Sequence, residues 1–260
     1  MITHLILFVI DGMRPDGLQQ ANTPTIDRLI AEGAHTFKAR TVMPSVTLPC
    51  HTSLFHGVEP GRHGITTNTW MPMARPVSGL VDVLHAAGKT TAFFYNWEEL
   101  RDLARPGSLD FAVFMRNDFI PNSVGDYALA DQAARVLSEN DIQFAFVYLG
   151  HTDTAGHNHG WMSDPYIKAI GDADRCIQTI LSAVPGDTAV IVTADHGGHA
   201  QTHGTDSDED MTTPFVIKGP GIPKHTITQP VHITDIAPTV TQLMGVQQPK
   251  EWIGKPIVFS

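Results

Sequence analysis

Five apolar, β-branched runs of strand length are spaced along this chain, with helix-forming segments between them. The runs are Leu5–Ile10, Thr90–Tyr95, Gln143–Leu149, Thr188–Thr193 and Pro214–Ile217. Continuous hydrophobicity over such short lengths predicts strands buried on both faces, as in a parallel sheet covered by helices on either side. One helix is predicted from Thr23-Pro24, a cap and first-turn proline, to Gly33; others lie near Val77–Ala87, Val124–Asn140, Pro165–Ala183 and Ile233–Met244. The alternation defines an α/β class, a three-layer α/β/α sandwich around a mostly parallel sheet. No internal repeat or low-complexity linker divides the 260 residues, so a single domain over 1–260 is expected.

Parallel sheets bind ligands beyond the carboxyl ends of their strands. The first run ends at Asp11, the third runs into Gly150-His151-Thr152-Asp153, and the fourth ends at Asp195-His196. Three strand exits therefore aim carboxylates at one crevice. Downstream, Asp153 and His157 share a face if the segment is helical, and His203 completes a three-ligand nitrogen and oxygen set that zinc accepts with one position open. Asp11, Asp195 and His196 supply a second set, with Thr47 available as a fourth ligand. The neighbouring His151, His159 and His199 read as supporting or solvent-facing histidines.

Thr47 lies in Met43-Pro44-Ser45-Val46-Thr47-Leu48-Pro49-Cys50-His51-Thr52, ahead of a helix that Gly57 closes. A hydroxyl at a helix start sits where free N–H groups favour an anion, although the same residue type also serves as a plain cap. From the residues alone, Ser45, Thr47 and Thr52 remain rival nucleophiles, and a threonine hydroxyl needs activation to act as one.

Composition narrows the classes. Hydrophobic content of 42% with 17% charged residues is that of a globular chain, and a net charge of −10 without a basic block argues against coating nucleic acid. Bound cations would let so acidic a chain take an anionic substrate. Cys50 and Cys176 are too few for a disulfide framework or a thiolate zinc site. No run approaches the roughly 20 apolar residues that span a bilayer, and Met1–Ile10 is too short for a signal peptide, so a cytoplasmic protein without membrane partners is expected. Unprotected edges of long apolar strands leave homodimerisation open.

The ordered motifs resemble the alkaline phosphatase superfamily, in particular its type I phosphodiesterase/nucleotide pyrophosphatase-like branch. They are Asp11-Gly12-Met13-Arg14-Pro15-Asp16, Thr23-Pro24-Thr25-Ile26-Asp27, the Thr47 segment through Gly57, and Pro60-Gly61-Arg62-His63-Gly64-Ile65. Asp153 through His157, Thr193-Ala194-Asp195-His196-Gly197, Thr202-His203-Gly204 and Ile233-Thr234-Asp235-Ile236-Ala237-Pro238-Thr239 follow, so the resemblance spans nearly the whole chain. It implies two divalent cations, zinc by preference. Asp153, His157 and His203 would hold one; Asp11, Asp195, His196 and the Thr47 oxygen would hold the other. It further implies phosphoester hydrolysis through a covalent phospho-threonine at Thr47, with Asn68 bonding a phosphoryl oxygen or, alternatively, capping its own loop.

Departures refine the expectation. Sulfatases of the superfamily carry a Cys-x-Pro-x-Arg nucleophile segment, whereas position 47 is threonine and Cys50 precedes His51. The short path from Asn68 to Val77 leaves no room for the insertions that recognise nucleotides in larger relatives. The reading is a small-molecule phosphodiesterase, with monoester or phosphonate hydrolysis as the alternative. A phosphotransferase or mutase ranks lower for want of an inserted domain, as does a non-catalytic metal-binding protein. Trp70-Met71-Pro72-Met73 is either a pocket wall or a surface loop packed on the core. Asp206–Asp210 is either a solvated loop or a cleft lining that repels highly charged monoesters.

Overall fold

The computed structural model describes residues 1–116 and 122–259. Each apolar run becomes a strand. In chain order the strands are β1 (Leu5–Ile10), β2 (Ala34–Arg40), β3 (Thr91–Tyr95), β4 (Phe111–Phe114), β5 (Phe144–Leu149), β6 (Ala189–Thr193), β7 (Thr212–Lys218) and β8 (His225–Thr226). They form one sheet in the order β4-β3-β5-β1-β6-β7-β2-β8, in which only β7 runs against its neighbours. The helices are α1 (Pro15–Gln20), α2 (Pro24–Glu32), α3 (Thr47–His56), α4 (Pro60–His63), α5 (Leu80–Ala86), α6 (Asn122–Glu139), α7 (His151–His159), α8 (Asp164–Leu181), α9 (Asp208–Met211) and α10 (Ile236–Leu243).

Alternate side chains of each strand point to opposite faces, and both faces are covered. Leu7 and Val9 of β1 join Phe93, Phe146 and Ile191 under α3, α5 and α10. Ile6, Phe8 and Ile10 face the other way, with Phe94, Val147 and Val192, under α2, α6 and α8. This is the expected three-layer sandwich. Cys50 belongs to the first layer and Cys176 to the second, so the sheet separates the two thiols.

Three strands escaped the sequence reading. β2 alternates buried Ala34, Thr36 and Ala39 with half-buried or exposed His35, Phe37 and Lys38, so it lacks a continuous apolar run. The other two, β4 and β8, have four and two residues and form the sheet's edges, which places the long apolar strands inside. Short edges are the usual protection against edge-to-edge pairing, which removes the edge argument for a dimer.

Helix starts are also more tertiary than expected. The Thr23 hydroxyl bonds the Asp27 carboxylate, while the free amides of Thr25 and Ile26 are taken by Asp174 of α8 at 3.2 and 2.7 Å. Helix α3 is buried along its whole length although half of it is polar. Its side chains turn back on its own carbonyls: His51 to Thr47, Thr52 to Leu48, and His56 to Thr52, at 2.7 to 2.9 Å. Gly57 ends it in the left-handed conformation at φ 59°, where a side chain would strike the Trp252 ring.

Phe146 of β5 anchors α3 to the sheet, with the rings of Phe55 and Phe93 both 4.9 Å away edge-on. Truncation to alanine opens a cavity that surrounding strands cannot collapse. Phe146→Ala is expected to lose about 3–5 kcal/mol in urea unfolding. A loss under about 1 kcal/mol, the size of an ordinary surface change, contradicts this packing account.

Candidate metal centre

The strands β5, β1 and β6 are adjacent, so their carboxyl ends open side by side. Asp11 directly follows β1. Past β5, Gly150 begins α7, whose first two turns carry Asp153 and His157 on one face. Beyond β6 come Asp195 and His196, then the loop that returns with His203. From the opposite layer, α3 presents Thr47 at its first turn. All seven predicted ligands thus meet at one end of the sheet, from three neighbouring strand exits and one helix start.

Each histidine is oriented by its outer nitrogen. His196 Nδ1 lies 2.8 Å from the Gly197 carbonyl, His203 Nδ1 2.8 Å from the Ser45 carbonyl, and His157 Nδ1 2.9 Å from the Gln201 carbonyl. A carbonyl only accepts, so each Nδ1 carries the proton and each Nε2 is left with a lone pair. Those lone pairs face carboxylates. His196 Nε2 is 3.3 Å from Asp11 Oδ1 and 3.3 Å from Asp195 Oδ2, and His203 and His157 Nε2 are 3.6 and 3.5 Å from the two oxygens of Asp153. Asp11 Oδ1, Asp195 Oδ2 and Asp153 Oδ1 are buried with no hydrogen-bond partner. Acceptor against acceptor in a dry site is repulsive unless a cation lies between them. The residues present therefore fit metal ions, with the mixed imidazole and carboxylate donors that zinc takes.

Two groups emerge, Asp11 with Asp195 and His196, and Asp153 with His203 and His196, each within 4.8 Å. His196 touches both, and its ring stacks on His203 at 3.8 Å, so the two groups are contiguous rather than separate. His157 approaches Asp153 from the rim, where it is 42% exposed. Among the rival hydroxyls, Ser45 donates to the Thr205 carbonyl and Thr52 to the Leu48 carbonyl, both at 2.7 Å. Thr47 Oγ1 alone of the three stands in the site, 3.2 Å from His196 Nε2. Asn68 Oδ1 accepts the Leu48 N–H at 2.9 Å and so caps α3, while the side chain also lines the cleft.

Electrostatics follow from this crowding. Burial, then the charges of Asp195 and Asp153, push Asp11 well above the carboxylate range, and burial brings Asp153 up to about 6. Burial also works against Asp195, but the charge His196 carries when protonated, the His51 ring and the Gly12 N–H outweigh it and hold that carboxyl low.

Several supports were not foreseen in the sequence. Tyr148 of β5 donates its hydroxyl hydrogen to Asp11 Oδ2, and His51 Nδ1 lies 3.4 Å from Asp195 Oδ2. Trp161 and Tyr166 both donate to the Gly12 carbonyl at 2.9 Å, pinning the turn that presents Asp11. Gly12 itself sits at φ 66°, and a side chain there would press on Asp153. A tyrosine inside an otherwise apolar strand was the available signal, since its buried hydroxyl needs a partner. The other histidines stay out of the groups: His199 pairs with Asp210 at 2.7 Å, the His151 backbone N–H bonds Asp126, and His159 is exposed.

A cleft of about 400 Å³ opens over the centre, walled by Asn96, Trp97, Glu98, Glu99, Phe114 and Arg116. Trp70 and Met73 instead pack half-buried on the core. Asp206–Asp210 lies outside that lining: Asp210 is buried and accepts the Thr205 N–H, and Asp208 pairs with Arg40 at 2.7 Å.

Comparison with known proteins agrees with this geometry. The metalloenzyme superfamily model matches residues 115–248, and the type I phosphodiesterase / nucleotide pyrophosphatase model matches residues 5–98. The chain belongs to the metalloenzyme superfamily. A 2,3-bisphosphoglycerate-independent phosphoglycerate mutase of Staphylococcus aureus is 30% identical over 139 residues, covering 51% of this chain. The chain matches only 26% of the length of that relative. Among solved structures, a variant of the alkaline phosphatase PafA superposes with a TM-score of 0.82 at 15% identity, covering 98% of both chains. Murine ectonucleotide pyrophosphatase/phosphodiesterase 5, in complex with AMP, gives 0.78 at 16% identity and 96% of both. Among the described residues, no helix is long and apolar enough to cross a membrane.

The Asp153 carboxyl binds its proton more tightly in the fold, at about 6, than at the ordinary 3.8. Its ionised form therefore destabilises the metal-free fold fully above about 6, and the penalty vanishes below 3.8. Metal-free Asp153→Asn is expected to melt above the parent at neutral pH, with the gap closing on acidification through that window. Added zinc should invert the order, because only the parent keeps the ligand. An asparagine variant no more stable without metal, or no inversion with it, contradicts the assignment.

Proposed function

We propose that the chain is a two-zinc phosphoester hydrolase that acts through a phospho-threonine at Thr47, with phosphodiesters as its preferred substrates. The carrying observation is that Thr47 Oγ1 reaches into the carboxylate–histidine cluster while Ser45 and Thr52 spend their hydroxyls on carbonyls. Asp153, His157 and His203 would hold one cation, and Asp11, Asp195, His196 and the Thr47 oxygen the other. When bound, the pair supplies the positive charge that lowers the hydroxyl's pKa and stabilises the charge developing on the phosphoryl oxygens.

The protein's own groups do the rest. Thr47 Oγ loses its proton to solvent and forms the bond to phosphorus as the bond to the departing alkoxide oxygen breaks, and that oxygen takes a proton from water; a second water later cleaves the Oγ–P bond, its oxygen joining the phosphate and one hydrogen restoring the hydroxyl. Asn68 is anchored through Oδ1 to the Leu48 N–H, which leaves Nδ2 as a donor toward a phosphoryl oxygen. The Asp153 and Asp195 carboxylates hold the cluster's negative wall, and Tyr148 fixes Asp11. The 1–260 chain serves here as one catalytic unit acting on a small phosphate ester.

The phosphodiesterase family match over the Thr47 segment and the pyrophosphatase neighbour support the diester preference. Monoester or phosphonate hydrolysis is the alternative at the same site. A second reading, transfer of the phosphoryl group to an alcohol, draws on the mutase relatives. It requires an acceptor alcohol to replace water in the second step.

Zinc-loaded protein is expected to hydrolyse bis(p-nitrophenyl) phosphate with higher kcat/KM than p-nitrophenyl phosphate, and Thr47→Ala to lose about 10³-fold or more on both. Unchanged activity in Thr47→Ala removes the nucleophile. A monoester preference makes the protein a compact phosphatase, and phosphorylated alcohol in place of phosphate in the presence of glycerol favours transfer.

A further inference from the structure

Beside the metal cluster, the cleft floor holds a notch with an unusual hydrogen-bonding character. Its base is Gly150, at the exit of β5. A side-chain carbon there would lie 3.0 Å from Tyr148 Cε1 and 3.2 Å from both Asn96 Oδ1 and the Tyr148 hydroxyl oxygen. The two oxygens flank Gly150, and all three residues line the cleft.

Both oxygens are acceptors toward the cleft. Asn96 is only 3% exposed, at the exit of β3, and its Nδ2 donates to Asp126 Oδ1 at 2.6 Å. Asp126 also accepts the His151 N–H at 3.1 Å, so it receives donors from two sides. An ionised carboxylate cannot donate, and the amide must therefore keep Nδ2 on Asp126 and turn Oδ1 to the cleft. That Oδ1 is buried and unpartnered. Tyr148 gives its single hydrogen to Asp11, which leaves lone pairs on its oxygen. A group that satisfies both acceptors must bring two hydrogens.

We propose that this notch binds the amine of a substrate's organic group, which makes amino-alcohol esters of phosphate the substrate class. The proposal rests on the phosphoester hydrolase reading and deepens it. A primary ammonium has three N–H donors, enough for Asn96 Oδ1 and Tyr148 Oη together. Glu99 lines the same cleft with a carboxylate. Arg116 lines it as well, so selectivity comes from the two acceptors rather than from bulk charge. A trimethylammonium group carries no N–H and is refused by this logic. A terminal methyl leaves both acceptors desolvated and unpaired, which is how polar sites reject apolar isosteres.

The test uses three p-nitrophenyl phosphodiesters whose second alcohol ends in 2-aminoethyl, propyl or 2-(trimethylammonio)ethyl. All release the same p-nitrophenolate, so only recognition differs. Assays run above pH 7, because burial brings Asp126 up to about 7. The 2-aminoethyl ester is expected to exceed propyl by about tenfold or more in kcat/KM, with the trimethylammonio ester ranking beside propyl. The ratio should fall to about one in two variants. Asn96→Ala removes an acceptor. Gly150→Ala sets a methyl between the two acceptors, against the Tyr148 ring, at a backbone φ of −91° that alanine adopts. Thermal melting checks that both variants fold.

Equal rates for the 2-aminoethyl and propyl esters overturn the amine site while leaving the hydrolase reading intact. A trimethylammonio ester as good as the amine also overturns it. If no ester releases p-nitrophenolate, the hydrolase reading fails, and calorimetry decides the notch separately. There, 2-aminoethylphosphonate should bind zinc-loaded protein more tightly than propylphosphonate, and equal binding refutes the proposal.

Discussion

Two buried carboxylates at the ends of neighbouring strands, facing imidazole lone pairs, set the terms for the rest of this molecule. Asp11 and Asp195 are 2% and 0% exposed, so neither has water to spread its charge into. Burial first, then the nearby charges of Asp195 and Asp153, push the Asp11 carboxyl well above the carboxylate range. The surroundings partly answer it. Tyr148 donates to Asp11, the Gly12 N–H donates to Asp195 at 3.1 Å, and His51 approaches Asp195 from α3. None of these reaches Asp11 Oδ1 or Asp153 Oδ1, and His51 stays 3.4 Å from Asp195 Oδ2, so all three oxygens lack a hydrogen-bond partner. The scaffold is thus built around missing positive charge.

The fold supplies the rigidity such an arrangement needs. The central strand β1 has a strand on each side in parallel register, and its apolar side chains are clamped in both layers. The turn after it is held by Trp161 and Tyr166 through one carbonyl. Helix α3 is immersed in the opposite layer and brings Thr47 in by its first residue, with Phe55 keyed against β3 and β5. Carbonyls of Gly197, Ser45 and Gln201 fix each histidine's tautomer. Position and protonation state are set together, by backbone rather than by flexible side chains.

The parts that were readable from sequence are those governed by local pattern. Apolar runs ending in aspartate placed Asp11 and Asp195 at strand exits, and the spacing of Asp153 and His157 matched a helical face that α7 realises. What escaped depends on contacts between distant segments. The choice among Ser45, Thr47 and Thr52 turned on which carbonyls lay nearby, namely Thr205 and Leu48. The cap of α2 came from Asp174, far along the chain, rather than from Thr23. His196 proved to border both ligand groups because its ring stacks on His203. The cleft wall likewise lay where no local signal pointed, with Asn96 and Trp97 following β3 while Trp70 joined the core. Edge strands of two and four residues carry too little pattern to detect.

The most direct test of the cation account is a crystal of zinc-soaked protein measured on both sides of the zinc absorption edge. Two anomalous peaks roughly 4 Å apart are expected. One should lie among Asp11, Asp195, His196 and Thr47, the other among Asp153, His157 and His203. A single peak, or ordered water bonded to the three partnerless carboxylate oxygens with no anomalous signal, would contradict it.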